Sequence, residues 1–476
     1  MNTSDILALL HREVVPAIGC TEPMCVALCV ARATEQLGTE PDAISVSVSK
    51  NIYKNAIGVG IPGTGMNGLP IAVALGATIG KSAYGLEVLR DTTPEAVAYA
   101  KSYMQRVPPQ ITIAHDAPDI LYVHATVSRN GKTACATIQG SHTSFVDDSP
   151  SAAAGLSGAA GPSSVSASGL SSVSDSGLSS VSDSGLSGEA GLSSLSDSGL
   201  SSLREVYDFA LNVPLREVDF LMEGAKMNMS AAEKSFMGSY GHGLGRLLHT
   251  VSNQHLTGVP TSLRGGVAAN SPHTQMSNIF GDTLFTKILC YTCGACDARM
   301  SGAMVPVMSN SGSGNQGISC SIPVYLYALE HNMNEEQTLR ALTLSNLTVI
   351  YIKQSLGRLS ALCGCVIAAT GSAAGLTYLM GGQYDEVTFA IKNMIANLSG
   401  MICDGAKPAC ALKVTSGVAT AVLSASMAMH HSFAEATEGI VEDDIDRTIH
   451  NLTRIGHDGM CQTDDLIIDI MTNKES

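Results

Sequence analysis

Tryptophan is absent from this 476-residue chain, and aromatic residues of every kind make up only 4% of it. Hydrophobic residues still reach 45%. A sizeable core is therefore available, but it must be aliphatic, with Ala, Gly and Met filling gaps between closely packed helices. Positive charge is scarce too: 27 Lys and Arg face 42 Asp and Glu, for a net charge of −15. A nucleic-acid partner would need a basic face, and an anionic lipid surface would attract one. Neither nucleic acid nor membrane is expected as a partner, and the acidity reads as a solubility device. An apolar leader is lacking, because Asp5, Arg12 and Glu13 interrupt the N-terminus. The stretch 361–382 is apolar enough to suggest a membrane span, but its Gly, Ser and other small residues predict a buried helix pair instead. No disulfide framework is evident. The thirteen cysteines are odd in number and scattered through apolar stretches, whereas such frameworks belong to short secreted chains. A cytoplasmic, reducing location is expected.

The fold class expected is α+β, in three parts. Residues 1–148 form an α+β domain, residues 149–203 a Ser/Gly-rich insert, and residues 204–476 a mostly α-helical domain. In the first part, 4–38 reads as two helices broken at VPAIGCTEP. AISVSVSKN (43–51) alternates as a strand should, IGVGIP (57–62) reads as a second strand, Leu69–Leu89 as a helix and 93–107 as an amphipathic helix. Residues 111–142 read as alternating strands with an Asn130-Gly131 hairpin. In the insert, Gly169, Gly177 and Gly185 mark octads of the form GLSSVSDS. Such a segment buries too little apolar area to offset its ordering entropy, and flexibility is expected, with a small β-solenoid as the alternative. Beyond Arg204, helical periodicity dominates, as in EEQTLRALTLSNLTVIYIKQSL and YDEVTFAIKNMIANLSGMI.

Three cysteines near the C-terminus, Cys363, Cys403 and Cys410, carry the strongest chemical signal. The last two bracket CDGAKPAC, where Gly405 and Pro408 predict a turn. Cysteines are often plain buried hydrophobes, but three in this arrangement suit a metal or iron–sulfur cluster. A cluster held by three thiolates leaves one iron without a protein ligand, free to act as a Lewis acid. Cys365 competes with Cys363 as a ligand, and spacing does not choose between them. Cys293 and Cys296 form a CxxC with Cys290 nearby, a pattern shared by zinc sites and redox pairs. Cys20, in GCTEP, precedes a helix expected to start near Pro23 with Thr21 as its N-cap. A thiol there is favoured as thiolate by the helix dipole, against repulsion from Glu22, and would serve as base or nucleophile.

Two Gly-rich turns, GTGMNG (63–68) and GSGNQG (312–317), match G-x-G-x-x-G, a weak dinucleotide signal when alone. Backbone N–H groups at a helix start hold a carboxylate as well as a phosphate, so a substrate-binding role is preferred. The candidates are Gly63, Thr64 and Gly65 in the first turn, and Ser311, Ser313 and Asn315 in the second, beside Ser309, Asn310 and Gln316. Asn51, Lys54 and Asn55, and the cation Arg299, are further candidates for holding an anionic substrate. His142 is a candidate acid or base, although a lone His is more often structural.

At these motifs the chain resembles a known family. PAIGCTEP, KNAIGVGIPGTGMNGLPIA, DARMSGAMVPVMSNSGSGNQGI, LSALCGC and SGMICDGAKPACALK are similar to the L-cysteine desulfidases, relatives of the iron–sulfur L-serine dehydratases. The likeness covers 1–148 and 204–476. It implies one oxygen-sensitive 4Fe–4S cluster per chain, with Cys363, Cys403 and Cys410 as ligands in preference to Cys365. It places the catalytic cysteine at Cys20, and leaves Cys293, Cys296 and Cys461 without a role. The repeats at 149–203 depart from the family pattern.

The activity expected is elimination of hydrogen sulfide from L-cysteine, giving pyruvate and ammonia, a lyase reaction of cysteine catabolism. Most enzymes of this chemistry use pyridoxal phosphate, but no lysine here is marked for it, and none of that cofactor is expected. The partner is a small amino acid, with homo-oligomer formation left open. L-serine dehydratase is the near alternative, a non-catalytic scaffold stapled by a structural metal the second, and a nicotinamide dehydrogenase a distant third.

Overall fold

The computed structural model describes residues 1–146, 199–253, 279–357 and 359–474. An α/β region with a sheet is followed by a mostly helical part. The described residues form one compact unit. The octads expected to be flexible lie outside the described residues, except for their end. There Leu200 is buried, its N–H donates to Gln354 Oε1 at 3.0 Å, and Ser202 caps the helix Leu203–Asn212.

The sheet has five strands in the order β3-β2-β4-β5-β6: β2 (Ala43–Val48), β3 (Gln110–Ile113), β4 (Tyr122–Arg129), β5 (Lys132–Gln139) and β6 (Phe145–Val146). Strand β2 pairs parallel with β3 and antiparallel with β4. Its alternation buries Ile44, Val46 and Val48, as a half-buried strand requires. Asn130 and Gly131 both take positive φ, 50° and 78°, the signature of a type I′ hairpin turn between β4 and β5. The helix Thr21–Leu37 covers this sheet, and Leu69–Thr78 packs on that helix within the same aliphatic core.

Three local expectations are corrected. Residues 57–62 form no strand but a turn closed by a bridge between Gly60 and Asn67. The helix from Leu69 stops at Thr78, and a 3₁₀ segment, Ser82–Glu87, follows with Gly85 at φ 55°. The apolar stretch 361–382 holds one helix, Gly364–Leu379, rather than a pair.

The helical part packs Gly314–Glu330, Glu335–Leu356, Gly364–Leu379, Tyr384–Leu398 and Cys410–Ala428 around an aliphatic core. Small residues let these backbones approach: a Cβ on Gly371 would meet the Ser345 carbonyl at 2.4 Å. Asn334 and Gln337 form a capping box at the start of Glu335–Leu356. Among the described residues one helix, Cys410–Ala428, is long and apolar enough to cross a membrane, and half of it is buried inside the protein.

A separate two-stranded ribbon positions the site. Strand β1 (Pro16–Ile18) pairs antiparallel with β7 (Pro306–Met308), so that Ala17 faces Val307. It ties the segment before Cys20 to the segment before the second Gly-rich turn.

Candidate active site

Cys20 follows β1 after Gly19 (φ 76°) and occupies the N-cap position of the helix Thr21–Leu37 itself, the place expected for Thr21. Its Sγ donates to Glu22 Oε2 at 3.0 Å. Thr21 Oγ1 donates to the same oxygen at 3.0 Å, and Asn55 Nδ2 donates to Glu22 Oε1 at 3.2 Å. The helix dipole alone would favour a thiolate here. Burial outweighs it: desolvation, then the negative charge of Glu22, push the Cys20 thiol well above its ordinary range, against a smaller pull from Arg299. Burial thus works against the thiolate that the helix start favours.

The second Gly-rich turn lies across from it. Ser309 N–H donates to Val15 O at 2.9 Å and Ser311 N–H to Glu13 O at 3.0 Å, continuing the ribbon. Asn310 and Ser313 exchange backbone hydrogen bonds at 3.1 and 3.0 Å, with Ser311 at φ 47° and Gly312 at φ 79° at the tip. The helix Gly314–Glu330 starts directly afterwards. Arg299, at the end of the helix Leu284–Met300, reaches this start and is only 2% exposed. Its Nη1 donates to Asn315 Oδ1 at 3.0 Å, while Nε and Nη2 find no hydrogen-bond partner among the described residues. A buried guanidinium with unsatisfied donors is costly, and this pair matches the spacing of a carboxylate.

The cysteine trio comes from two paired loops and a helix start. Cys363 N–H donates to Met401 O at 2.9 Å, Cys403 N–H to Ala361 O at 2.6 Å, and Leu362 bridges Ile402. Cys410 opens the helix Cys410–Ala428. Gly405, at φ 90°, lets the intervening loop lie against the Lys54 carbonyl, which a Cβ would meet at 2.3 Å. A hydrogen bond from Cys365 lowers the Cys363 thiol, against burial, and Lys413 adds to this. Burial, followed by the charge of Cys363, raises Cys403, with Lys54 opposing. Burial and Cys403 push Cys410 up to about 11. Metal uptake by such thiols would release protons.

All these elements border one cleft of about 710 Å³, its open mouth included. The lining brings together Cys20, Asn55, Arg299, Ser311, Ser313, Asn315, Cys363, Cys403 and Cys410 from the sequence reading. Cys365, His142 and Gln316, weighed in the sequence reading, line it too, as do Glu22, Lys353 and Lys413, which that reading left without a site role. Asn51, Lys54, Gly63, Thr64 and Gly65 do not line it. Lys54 is buried in an ion pair with Asp464, and Asn51 is half-buried on the same short helix. The first Gly-rich turn packs on the segment after Met300, with Gly63 N–H donating to Gly302 O at 3.0 Å and Thr64 Oγ1 to Ile61 O at 2.8 Å. Cys293 and Cys296 are buried within the helix Leu284–Met300. Cys461 is exposed. Among the described residues no three Cys, His, Asp or Glu side chains converge closely enough to hold a single metal ion. The ligands of a cubane each grip a different iron, so they stand further apart than those of one ion.

A family profile described as serine dehydratase alpha chain matches residues 83–469. This chain belongs to that family. Serine dehydratase alpha chains of this type depend on iron and sulfur, and the matched span includes Cys363, Cys403 and Cys410. Similar proteins extend the match to the N-terminus and Cys20. A UPF0597 protein of Bacteroides fragilis is 53% identical, covering 99% of this chain and 98% of its own. One of Phocaeicola vulgatus is 50% identical over the same shares. One of Shewanella pealeana is 42% identical over 98% of each. These names state no activity. As a serine dehydratase-like iron–sulfur protein, the chain carries the features of a lyase.

Proposed function

We propose that this protein is an L-cysteine desulfidase, eliminating hydrogen sulfide from L-cysteine to leave pyruvate and ammonia. The observation that carries this reading is the shared cleft, lined by five cysteines and by Arg299, whose buried guanidinium leaves two N–H groups without a hydrogen-bond partner among the described residues. Cys363, Cys403 and Cys410 would hold one 4Fe–4S cluster per chain. The donor set suits it: three thiols, with Lys54, Lys407 and Lys413 near enough to favour their charged forms. When bound, such a cluster supplies a Lewis-acidic iron free of protein ligands.

The remaining work falls to the side chains. Arg299 Nε and Nη2 would receive the substrate carboxylate as a fork. Asn55 turns its amide nitrogen to Glu22, and its Oδ1, like Gln316 Oε1, has no hydrogen-bond partner among the described residues. These two acceptors suit the substrate's ammonium. Cys20, fixed beside Arg299, would take the proton from Cα. The released aminoacrylate then tautomerises and hydrolyses in water. Thirteen free cysteines suit a reducing cytoplasm.

L-serine dehydration is the second reading, favoured by the description of the matched family. Leaving-group chemistry argues for cysteine: thiols ionise near pH 8.5, whereas water has a pKa of about 15.7, so sulfide departs with less assistance. The test is purification without oxygen, followed by sulfide release from L-cysteine and pyruvate formation from L-serine. We expect kcat/KM for cysteine to exceed that for serine by about tenfold or more. The reverse order would assign the protein to serine, and turnover of neither by cluster-loaded protein would end the lyase reading.

Arg299 offers a sharper check. A Cβ on Gly314 would meet Arg299 Nε at 2.3 Å. Gly314→Ala should therefore displace the guanidinium, with visible absorbance unchanged. Losing a charge-assisted pair of about 1.5–3 kcal/mol corresponds to a KM raised roughly 10- to 100-fold. Unaltered steady-state kinetics in that variant would remove Arg299 from the carboxylate site.

A further inference from the structure

We propose that Glu22 is the proton acceptor paired with Cys20, taking the thiol proton before α-proton abstraction and passing it to the departing sulfide. This rests on the lyase reading above.

Glu22 is 7% exposed, yet among the described residues it has no cationic partner within ion-pair distance. What holds it is a set of three donors: Cys20 Sγ and Thr21 Oγ1 on Oε2, and Asn55 Nδ2 on Oε1. These donors fix the carboxylate and aim one oxygen at the sulfur that must lose a proton. The carboxylate also lines the cleft with Arg299, on the side where a substrate would sit. Both carboxylate oxygens are used as acceptors, and the one shared with Thr21 lies at the sulfur that the reaction must deprotonate.

The proton count closes. The Cys20 proton moves to Glu22 Oε2, leaving a thiolate and a carboxylic acid. The thiolate sulfur takes the substrate's α-proton, and the Cα–H electron pair becomes the Cα=Cβ π bond. The Cβ–S pair leaves with the sulfur as HS⁻, which takes the proton from Glu22. Cys20 is again a thiol and Glu22 a carboxylate, ready for the next substrate with no exchange with bulk water.

Glu22→Gln separates this role from simple electrostatic suppression of the thiolate. Removing the charge should ease ionisation of Cys20, so its alkylation by iodoacetamide, followed by mass spectrometry, should run faster than in the wild type. Turnover should nonetheless fall about 10²-fold or more, with KM and visible absorbance unchanged and a larger isotope effect on kcat from α-deuterated cysteine. Glu22→Asp keeps the charge at shorter reach and should recover part of the lost rate. Turnover of Glu22→Gln within about threefold of wild type overturns the proposal, as does faster turnover accompanying the faster alkylation. Both are read against active wild-type enzyme, so failure of the lyase reading, in which wild type itself is idle, stays distinct.

Discussion

Cys403→Ala is expected to leave anaerobic purification colourless, with iron content near background and sulfide release lowered by about three powers of ten or more. The magnitude follows from losing a Lewis acid worth several kcal/mol in the transition state. The variant tests ligation rather than folding, because the loop is held by its backbone. Cys403 N–H donates to Ala361 O, Leu362 bridges Ile402, and Lys413 Nζ donates to Ile402 O at 2.6 Å. None of these needs the thiol. Cys403 is also half-buried, so truncating it removes little packing. Cys365→Ala is the matching control. Cys365 lines the same cleft beside Cys363, and its replacement should leave the colour intact. Bleaching by Cys365→Ala with full colour in Cys403→Ala would reverse the assignment.

Cys20→Ala should show the opposite pattern: full colour and iron, and a rate lower by about two to four powers of ten, the usual worth of a positioned base. Cys20 contributes no backbone strain and little volume, and the helix it caps keeps its first hydrogen bond, Met24 N–H to Cys20 O at 3.3 Å. Its loss should therefore appear in kcat. Turnover near wild type would dismiss Cys20 from the chemistry. Loss of colour would instead make it a ligand.

How much of this could be read from the chain depends on the range of each interaction. The Asn130-Gly131 hairpin and the helix Glu335–Leu356 are written in local chemistry, in a turn that needs positive φ and in a capping box with periodic apolar positions. The ribbon is not. PAI and PVM are too short to show any period, and they pair across the chain from Pro16 to Met308. The cleft was partly legible because its residues lie in distinctive motifs. That GTGMNG would pack on the segment after Met300, while GSGNQG faces the cleft, follows from the ribbon, and identical spacing in the two turns hid the difference. Glu22 was only partly legible for a related reason. From the sequence only its repulsion of a thiolate could be weighed, whereas the three hydrogen bonds that orient it depend on Asn55, which arrives from another helix.

The ribbon also sets an order of events during synthesis. The first 146 residues carry every strand of the five-stranded sheet and can close it while translation continues. Cys20 cannot take its final station then, because the strand that anchors its segment, Pro306–Met308, has yet to leave the ribosome. The thiols at 363, 403 and 410 emerge later still. Were these three thiols to hold a cluster as proposed, their receptacle would be complete only once residue 410 and the helix it opens have emerged.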